Sequence, residues 1–509
     1  MKGLPIGIQE FSELISRNCI YVDKTKHIFE LLKNKYYFLS RPRRFGKSLL
    51  LNTIKEIFNG NKQLFEGLWI YDQIDWEVHP VIKISFSKAD YKAMGLAAAI
   101  DNMLEGIAAT NGITLKQPTY SLKFEELILK LSKDKKVVIL IDEYDKPIID
   151  YIDDIPQAEE NRKILKSFYS VIKDSDGYIQ FFLITGVSKF SQVSIFSDLN
   201  NLNDITLNRK YATMLGYTQE ELEQCFGGYI RELGAFYKQS DTDIYQQIKV
   251  NYNGYSWDGV HFVYNPFSVL NLLDNMEFGD YWFRTGTPTF LMKLIRDKRY
   301  TIFDIEKRSI FKSELDKYDI TNLSLIPLLF QTGYLTIKES DLQGILLLDF
   351  PNAEVERSFT IHVLAAMEDS KVETASSLLV QLIYALRDNK IDKFIELINI
   401  IYKGISYTII DQQEKYFHSI FYLIVKLIGF TIASEILTID GRIDVVIKTT
   451  DRIYVIEFKI DQDAQTALQQ IKDKSYHEKY LAQGKPITLL GINFDMERRV
   501  IDDYVVENG

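Results

Sequence analysis

The 509-residue sequence predicts an α/β chain: a helix-covered parallel sheet, a helical segment, a mixed α+β stretch, and a second α/β part at the carboxyl end. Three observations carry this reading. The apolar runs "YYFLS" (36–40), "PVIKISFS" (80–87), "KVVILIDEYD" (136–145) and "IQFFLITGVS" (179–188) alternate with helical patterns. Strands lacking polar alternation belong to sheets covered on both faces. Near the other end, "GRIDVVIKTTDRIYVIEFKI" (441–460) reads as two strands around a turn. The length itself exceeds what one hydrophobic core supports, so two or three domains are expected.

The composition, 46% hydrophobic and 26% charged with 31 Tyr and 31 Phe, is that of a globular protein with material for several cores. A net charge of −10 argues against non-specific coating of nucleic acid and leaves room only for a local basic groove. Cys19 and Cys225 are far apart, which fits a reducing compartment. His27, His79, His261, His362, His418 and His477 are scattered, against a His-rich metal site. The opening "MKGLPIGIQEFSEL" has no apolar signal core, and no apolar run reaches membrane-spanning length. A cytoplasmic location without membrane partners is expected.

The first strand leads into "RPRRFGKSLLLNTIKEIF", with loop 41–46 and a helix starting at Lys47. Leu50, Leu51, Ile54 and Phe58 give that helix a buried face. A phosphate-binding loop sits at such a strand end and asks for glycine, four residues, then Gly-Lys-Ser/Thr. Gly46, Lys47 and Ser48 supply the second half, but Arg41 stands where the first glycine belongs. An anion needs outward backbone N–H groups, a helix N-terminus and a lysine. Gly46-Lys47-Ser48 keeps the helix end, the lysine and a hydroxyl for magnesium, while Arg41 and Pro42 change how the loop is entered. Arg44, Phe45, Gly46, Lys47, Ser48 and Leu49 are the expected nucleotide contacts, with the Ser48 hydroxyl on Mg²⁺. Arg41 must take a backbone conformation open to a residue with a Cβ, and with Arg43 and Arg44 adds positive charge beside the phosphates.

The plain alternative is a basic surface turn, and the third apolar run argues against it. "VVILIDEYD" is a strand ending in adjacent acids. Asp142 would hold Mg²⁺ through water, and Glu143 would orient or deprotonate an attacking water. The order of the two motifs predicts binding of ATP or GTP with hydrolysis. Thr185 and Ser188 close the next strand as γ-phosphate sensors or as turn formers. Arg209 and Arg284 reach phosphates in cis or in trans, or are solvated.

Together "GIQEFSELI…CIYVDKTKHI", "YFLSRPRRFGKSLL", "VVILIDEYDKPI", "ITGVSKFSQVSIFSDLNNLNDIT" and "YNGYSWDG…VYNPFSVLN" resemble a family of bacterial and archaeal AAA-ATPase-like proteins over roughly residues 3–290. In that family R-P-R-R-F-G-K-S is the usual phosphate loop. The resemblance implies Walker A roles for Lys47 and Ser48, Walker B roles for Asp142 and Glu143, and cover of the adenine by Tyr21–Thr25.

Residues 211–285 read as a helical lid, and 286–380 as a connecting α+β region with strands in "TGYLTIKE" and "GILLLDF". In the 441–460 hairpin a loop at Thr450-Asp451 makes paired residue numbers sum to 901. Ile443 then faces Phe458, Val445 faces Ile456 and Ile447 faces Tyr454 on an apolar side, while Asp444 faces Glu457 and Lys459 follows on the other. Two carboxylates directly opposite repel unless a cation joins them, and oxygen ligands suit Mg²⁺ or Mn²⁺. D-x(12)-E-x-K matches the PD-(D/E)XK nuclease core, with Lys459 beside the activated water; a solvated charged face is the plain alternative. The downstream helix and strand resemble the nuclease-like domain usually fused to that ATPase family. Gln470 and Tyr476 match its helix motif, and Glu414 or Glu435 would add an upstream acid.

Between Asp451 and Lys485 six basic and six acidic residues balance, so no basic groove is evident. The expected organisation is an AAA-like P-loop core (1–210), a lid (211–285), a connecting region (286–380) and a PD-(D/E)XK nuclease-like domain (381–509). The expected partners are ATP and nucleic acid, with assembly into a homo-oligomer left open. A nucleotide-gated binding module that does not cleave is the second functional class.

Overall fold

The computed structural model describes the chain apart from residues 190–195, 197–200, 284–288, 299, 301, 316–323, 368–370, 405–413, 430–432, 440–441, 476 and 509. At 289–290, 297, 414–418, 433–439, 442–444 and 479 it describes the backbone. The chain forms two compact units, Met1–Gly286 with Lys307–Glu354, and Thr287–Glu306 with Val355–Gly509. The stretch 287–380 is thus divided between them. No helix of the described residues is long and apolar enough to cross a membrane.

In the first unit β1 (Tyr36–Ser40), β2 (Val81–Ser85), β3 (Val137–Asp142), β4 (Ile179–Gly186) and β5 (Asn203–Asp204) form a sheet ordered β2-β3-β4-β1-β5. Every pairing in it is parallel. The apolar runs become β1 to β4, and β1 and β3 are buried at every position, as a sheet covered on both faces requires. Helix Lys47–Phe58 leaves β1 with Leu50, Leu51, Ile54 and Phe58 inward. Because β1 lies between β4 and β5 with β3 next beyond β4, the phosphate-loop sequence and the acids after β3 meet at one sheet edge.

Helices Gln219–Tyr237, Asp241–Tyr252 and Pro266–Asn275 follow, built around Leu222, Phe226, Ile230, Ile248 and Leu272. Thr218 and Glu221 close a reciprocal capping box at the first of them. A three-stranded antiparallel sheet, β6 (Arg308–Phe311), β7 (Thr336–Ser340) and β8 (Ile345–Asp349), belongs to the same unit.

The second unit holds a mixed sheet ordered β13-β12-β11-β10-β9, made of β9 (Ala433–Ile439), β10 (Arg442–Lys448), β11 (Ile453–Ile460), β12 (Ile487–Asp495) and β13 (Val500–Asn508). The β10–β11 register is the one the sequence implied: Ile443 pairs with Phe458, Asp444 with Glu457, Ile447 with Tyr454. The Thr449 N–H donates to the Arg452 carbonyl at 2.9 Å across the Thr450-Asp451 turn. On one face Phe458 stacks on Phe421 of helix Glu414–Gly429, ring centres 4.4 Å apart. On the other, Val446 and Val455 pack with Leu468 and Ile471 of helix Ala464–Asp473, the crossover from β11 to the parallel β12. Every residue of β11 is buried, so Glu457 and Lys459 are not on a solvated strand face.

Gly491 sits in β12 beside Glu457. A Cβ there would stand 2.3 Å from the Ala464 carbonyl oxygen and 2.7 Å from the Leu468 nitrogen. Its bareness lets the crossover helix lie on the sheet. Gly491→Ala is expected to destabilise this unit by roughly 2–3 kcal/mol, the scale of a forced overpacking. Chemical denaturation followed by Phe and Tyr fluorescence checks this, and an unchanged midpoint would contradict it.

Candidate functional site

At the end of β1 the chain takes two left-handed steps, Arg44 at φ 69° and Gly46 at φ 91°, before helix Lys47–Phe58 begins. Gly46 is exposed and a Cβ on it would meet nothing within 4 Å, so the helix N-terminus faces open space. Arg43 and Arg44, just before it in the chain, are exposed, with the Arg44 guanidinium 4.8 Å from the Phe267 ring centre. Lys47 is buried, and its ammonium donates to the carbonyls of Arg41 and Pro42 at 2.8 and 2.9 Å. Burial lowers the pKa of Lys47, against the pull of Asp142, Glu143 and Asp145.

The Ser48 hydroxyl donates to Asp142 at 2.6 Å, and the Thr185 hydroxyl donates to the other Asp142 oxygen at 2.9 Å. Glu143, the next residue, has φ 53°, a left-handed conformation that strains a residue with a Cβ. Among the described residues its carboxylate accepts no hydrogen bond. Burial raises its pKa, and Asp142 raises it further, while Lys47 opposes. A hydroxyl and a carboxylate together, beside a lysine and an open helix end, form a hard-oxygen donor set that fits magnesium with a polyphosphate.

Beside this loop an open pocket is lined by Ile20, Tyr21, Val22, Gly46, Leu49 and Tyr217 among others. Its apolar walls and two tyrosines are suited to a flat base. Lys24, also in its wall, donates to both Glu221 oxygens at 2.6 Å and to the Thr213 carbonyl at 2.9 Å. The Tyr21–Thr25 element is thereby tied to the capped helix Gln219–Tyr237. His27 is held down to about 4 by burial and by Lys24. It folds neutral, so the stability it contributes is present above its ordinary 6.5 and lost as pH falls toward 4. The melting temperature of wild type should fall relative to that of His27→Gln as pH is lowered across that window, and parallel curves would contradict it.

In the second unit Lys459 donates to Glu457 at 2.7 Å and to the Gln470 side-chain oxygen at 2.6 Å. Glu457 is fully buried and Lys459 is 7% exposed. Asp444 holds the register position opposite Glu457, and Glu435 the position opposite Val446 on the neighbouring strand. Among the described residues no three His, Cys, Asp or Glu side chains are placed to hold a metal. Glu457 alone of the proposed acids is described there to the side-chain level.

Both halves of this arrangement have counterparts. Residues 5–196 match a family described as a predicted AAA-ATPase, and residues 412–504 match the PD-(D/E)XK nuclease superfamily. A relative from Azotobacter chroococcum mcd 1, an uncharacterized protein in the vnfD 5′ region, is 38% identical over 525 residues, covering 100% of this chain and 99% of the relative. The chain belongs to this AAA-ATPase-like family. Its carboxy-terminal unit carries a PD-(D/E)XK nuclease-superfamily domain.

In the AAA-ATPase-like domain the remaining candidates fall out as follows. Ser188 donates its hydroxyl to Asp145 at 2.7 Å. Arg209 is exposed, with its Nε 4.0 Å from Asp258. Phe45 packs against Tyr255 and Trp257, and together with Leu49 it lines the pocket beside the loop. Arg284, and Tyr476 in the nuclease-like domain, lie outside the described residues, and Glu414 is described by its backbone at the start of helix Glu414–Gly429.

Two features escaped the sequence reading. Arg41 is not at the open helix end with Arg43 and Arg44: it is 1% exposed and turned inward. Asp145 is buried and gathers the N–H groups of Val187 and Ser188 at 3.0 and 2.6 Å, fixing the chain after β4. Its only sequence signal was a third acid in "DEYD". Gly186 lies where a Cβ would stand 2.6 Å from the Tyr144 ring, so this strand end and the acidic loop pack without a side chain between them.

Proposed function

We propose that the chain binds and hydrolyses ATP with Mg²⁺ and that this cycle governs a Mg²⁺-dependent, nucleic-acid-directed nuclease domain. The observation that supports it most is the meeting of Lys47, Ser48, Asp142 and Glu143 at one end of the parallel sheet, with Ser48 and Asp142 2.6 Å apart. Gly46 and the N–H groups that follow cradle the phosphates, Lys47 turns from the loop carbonyls to the outer phosphates, and Arg44 adds charge from the rim. Bound magnesium supplies charge neutralisation at the phosphates. Ser48 and Asp142 hold it, Thr185 keeps Asp142 oriented, and Glu143 takes the proton of the attacking water. The pocket beside Leu49 takes the base, with Tyr21 and Tyr217 in its wall.

In the carboxy-terminal domain Asp444 and Glu457 would hold Mg²⁺ or Mn²⁺, while Lys459, oriented by Gln470, stabilises the scissile phosphate or positions water. One observation favours a second reading, a nucleotide-gated module that binds without cutting. Glu457 is fully enclosed and already paired with Lys459, and the flanking charges balance. Two assays on the intact chain separate the readings: ATP turnover by Glu143→Gln, and Mg²⁺-dependent cleavage of mixed nucleic acids by Asp444→Ala.

A further inference from the structure

The phosphate loop lacks the first glycine of its pattern, and the structure shows what occupies that place. Arg41 is absent from the residues with positive φ; the left-handed steps fall later, at Arg44 and Gly46. The first position therefore demands no glycine conformation. Its side chain is instead committed to the interior. Nη1 donates to the carbonyls of Ser40 at 2.9 Å and Thr206 at 2.7 Å, and Nη2 to that of Tyr211 at 3.3 Å. The guanidinium lies 4.0 Å from the Trp257 ring centre. A buried cation whose partners are peptide oxygens and an aromatic face is an expensive arrangement, and one an arginine's planar fork is shaped to make.

The neighbouring residues are clamped as well. Trp282 Nε1 donates to the Arg43 carbonyl at 3.0 Å. Gly333 approaches so closely that a Cβ would stand 2.7 Å from Pro42 Cβ. The two carbonyls that seat the Lys47 ammonium, those of Arg41 and Pro42, lie inside this clamp.

We propose that Arg41 is a positioning residue for the nucleotide site: stacked on Trp257 and bonded to the chain after β5, it sets the turn that a first glycine sets in other phosphate loops. This rests on the nucleotide reading above. The shape of the loop then depends on residues more than two hundred positions downstream, and Arg41→Gly, which restores the general glycine pattern, impairs the site.

The test is equilibrium binding of a fluorescent ATP analogue to the full chain, with melting temperature and circular dichroism in parallel. Arg41→Gly is expected to lose affinity by roughly tenfold or more, the scale of one charged hydrogen-bond set. Arg41→Lys, which keeps the charge and loses the fork, should lose a similar amount. Trp257→Phe, which leaves Arg41 in place, is expected to weaken binding by about twofold to fivefold while circular dichroism still shows a folded chain, and wild-type affinity in it overturns the proposal. It serves as the deciding variant should Arg41→Gly fail to fold. Wild-type affinity in Arg41→Lys, or in a folded Arg41→Gly, overturns the proposal alone. Absence of saturable binding by wild type removes the nucleotide reading and this proposal with it.

Discussion

Replacing Glu143 by glutamine is expected to slow ATP turnover by about 10²–10⁴-fold, the usual worth of a positioned base, while ATP still binds. Glu143 follows the acid that Ser48 contacts, is held at φ 53°, and carries a carboxylate that accepts no hydrogen bond among the described residues. Burial and Asp142 raise its pKa, and a base must be deprotonated to act. Turnover should therefore fall, as pH is lowered, at a value above the ordinary 4.5 of a glutamate. Linkage gives the sign for stability. A carboxylate raised on folding contributes stability below its unfolded pKa and loses it as pH rises through its folded pKa. At neutral pH the glutamine variant should be no less stable than wild type. Lost activity through unfolding would lower melting temperature and binding together; the account requires that both persist. Undiminished hydrolysis in a folded Glu143→Gln removes the base assignment.

The second large effect concerns the other unit. Asp444→Ala is expected to reduce Mg²⁺-dependent cleavage of nucleic acid by roughly a hundredfold or more, given the several kcal/mol that a held metal supplies. The register places Asp444 opposite Glu457, beside the strand from which Lys459 reaches Gln470. Adding a chelator to wild type should reproduce the loss. A folded wild type that leaves DNA and RNA intact, with Asp444→Ala indistinguishable from it, would favour the non-cleaving module.

The parallel sheet was legible because a strand buried on both faces must be apolar throughout, and "VVILID" and "YYFLS" have no other economical reading. The β10–β11 register was legible for a related reason. Strand periodicity is two, so one two-residue turn fixes every pair from Lys448–Ile453 to Ile443–Phe458. Ser48 and Asp142 were each expected at the magnesium, because the helix after β1 and the end of β3 share one sheet edge; their 2.6 Å contact is a finding of the structure. What did not show was long-range burial of charge. Arg43, Arg44 and Arg41 look alike in sequence, yet two are exposed and one is enclosed by the carbonyls of Thr206 and Tyr211 and the ring of Trp257. Asp145 was silent for the same reason, since its partners lie on the far side of a strand crossover. The placement of β6 to β8 with the amino-terminal unit depends on contacts such as Ser256 N–H with the Thr336 hydroxyl at 2.7 Å, which no local pattern announces.

The coupling of nucleotide occupancy at Lys47 and Glu143 to chemistry at Asp444 and Glu457 is what the proposed function requires. Its most direct measurement is Mg²⁺-dependent cleavage of mixed DNA and RNA by the intact chain, with and without ATP, in wild type, Glu143→Gln and Asp444→Ala. The account predicts that cleavage by wild type changes with ATP, that Glu143→Gln alters this response, and that Asp444→Ala cuts under no condition. Cleavage at one rate with or without ATP, in wild type and Glu143→Gln alike, would contradict it.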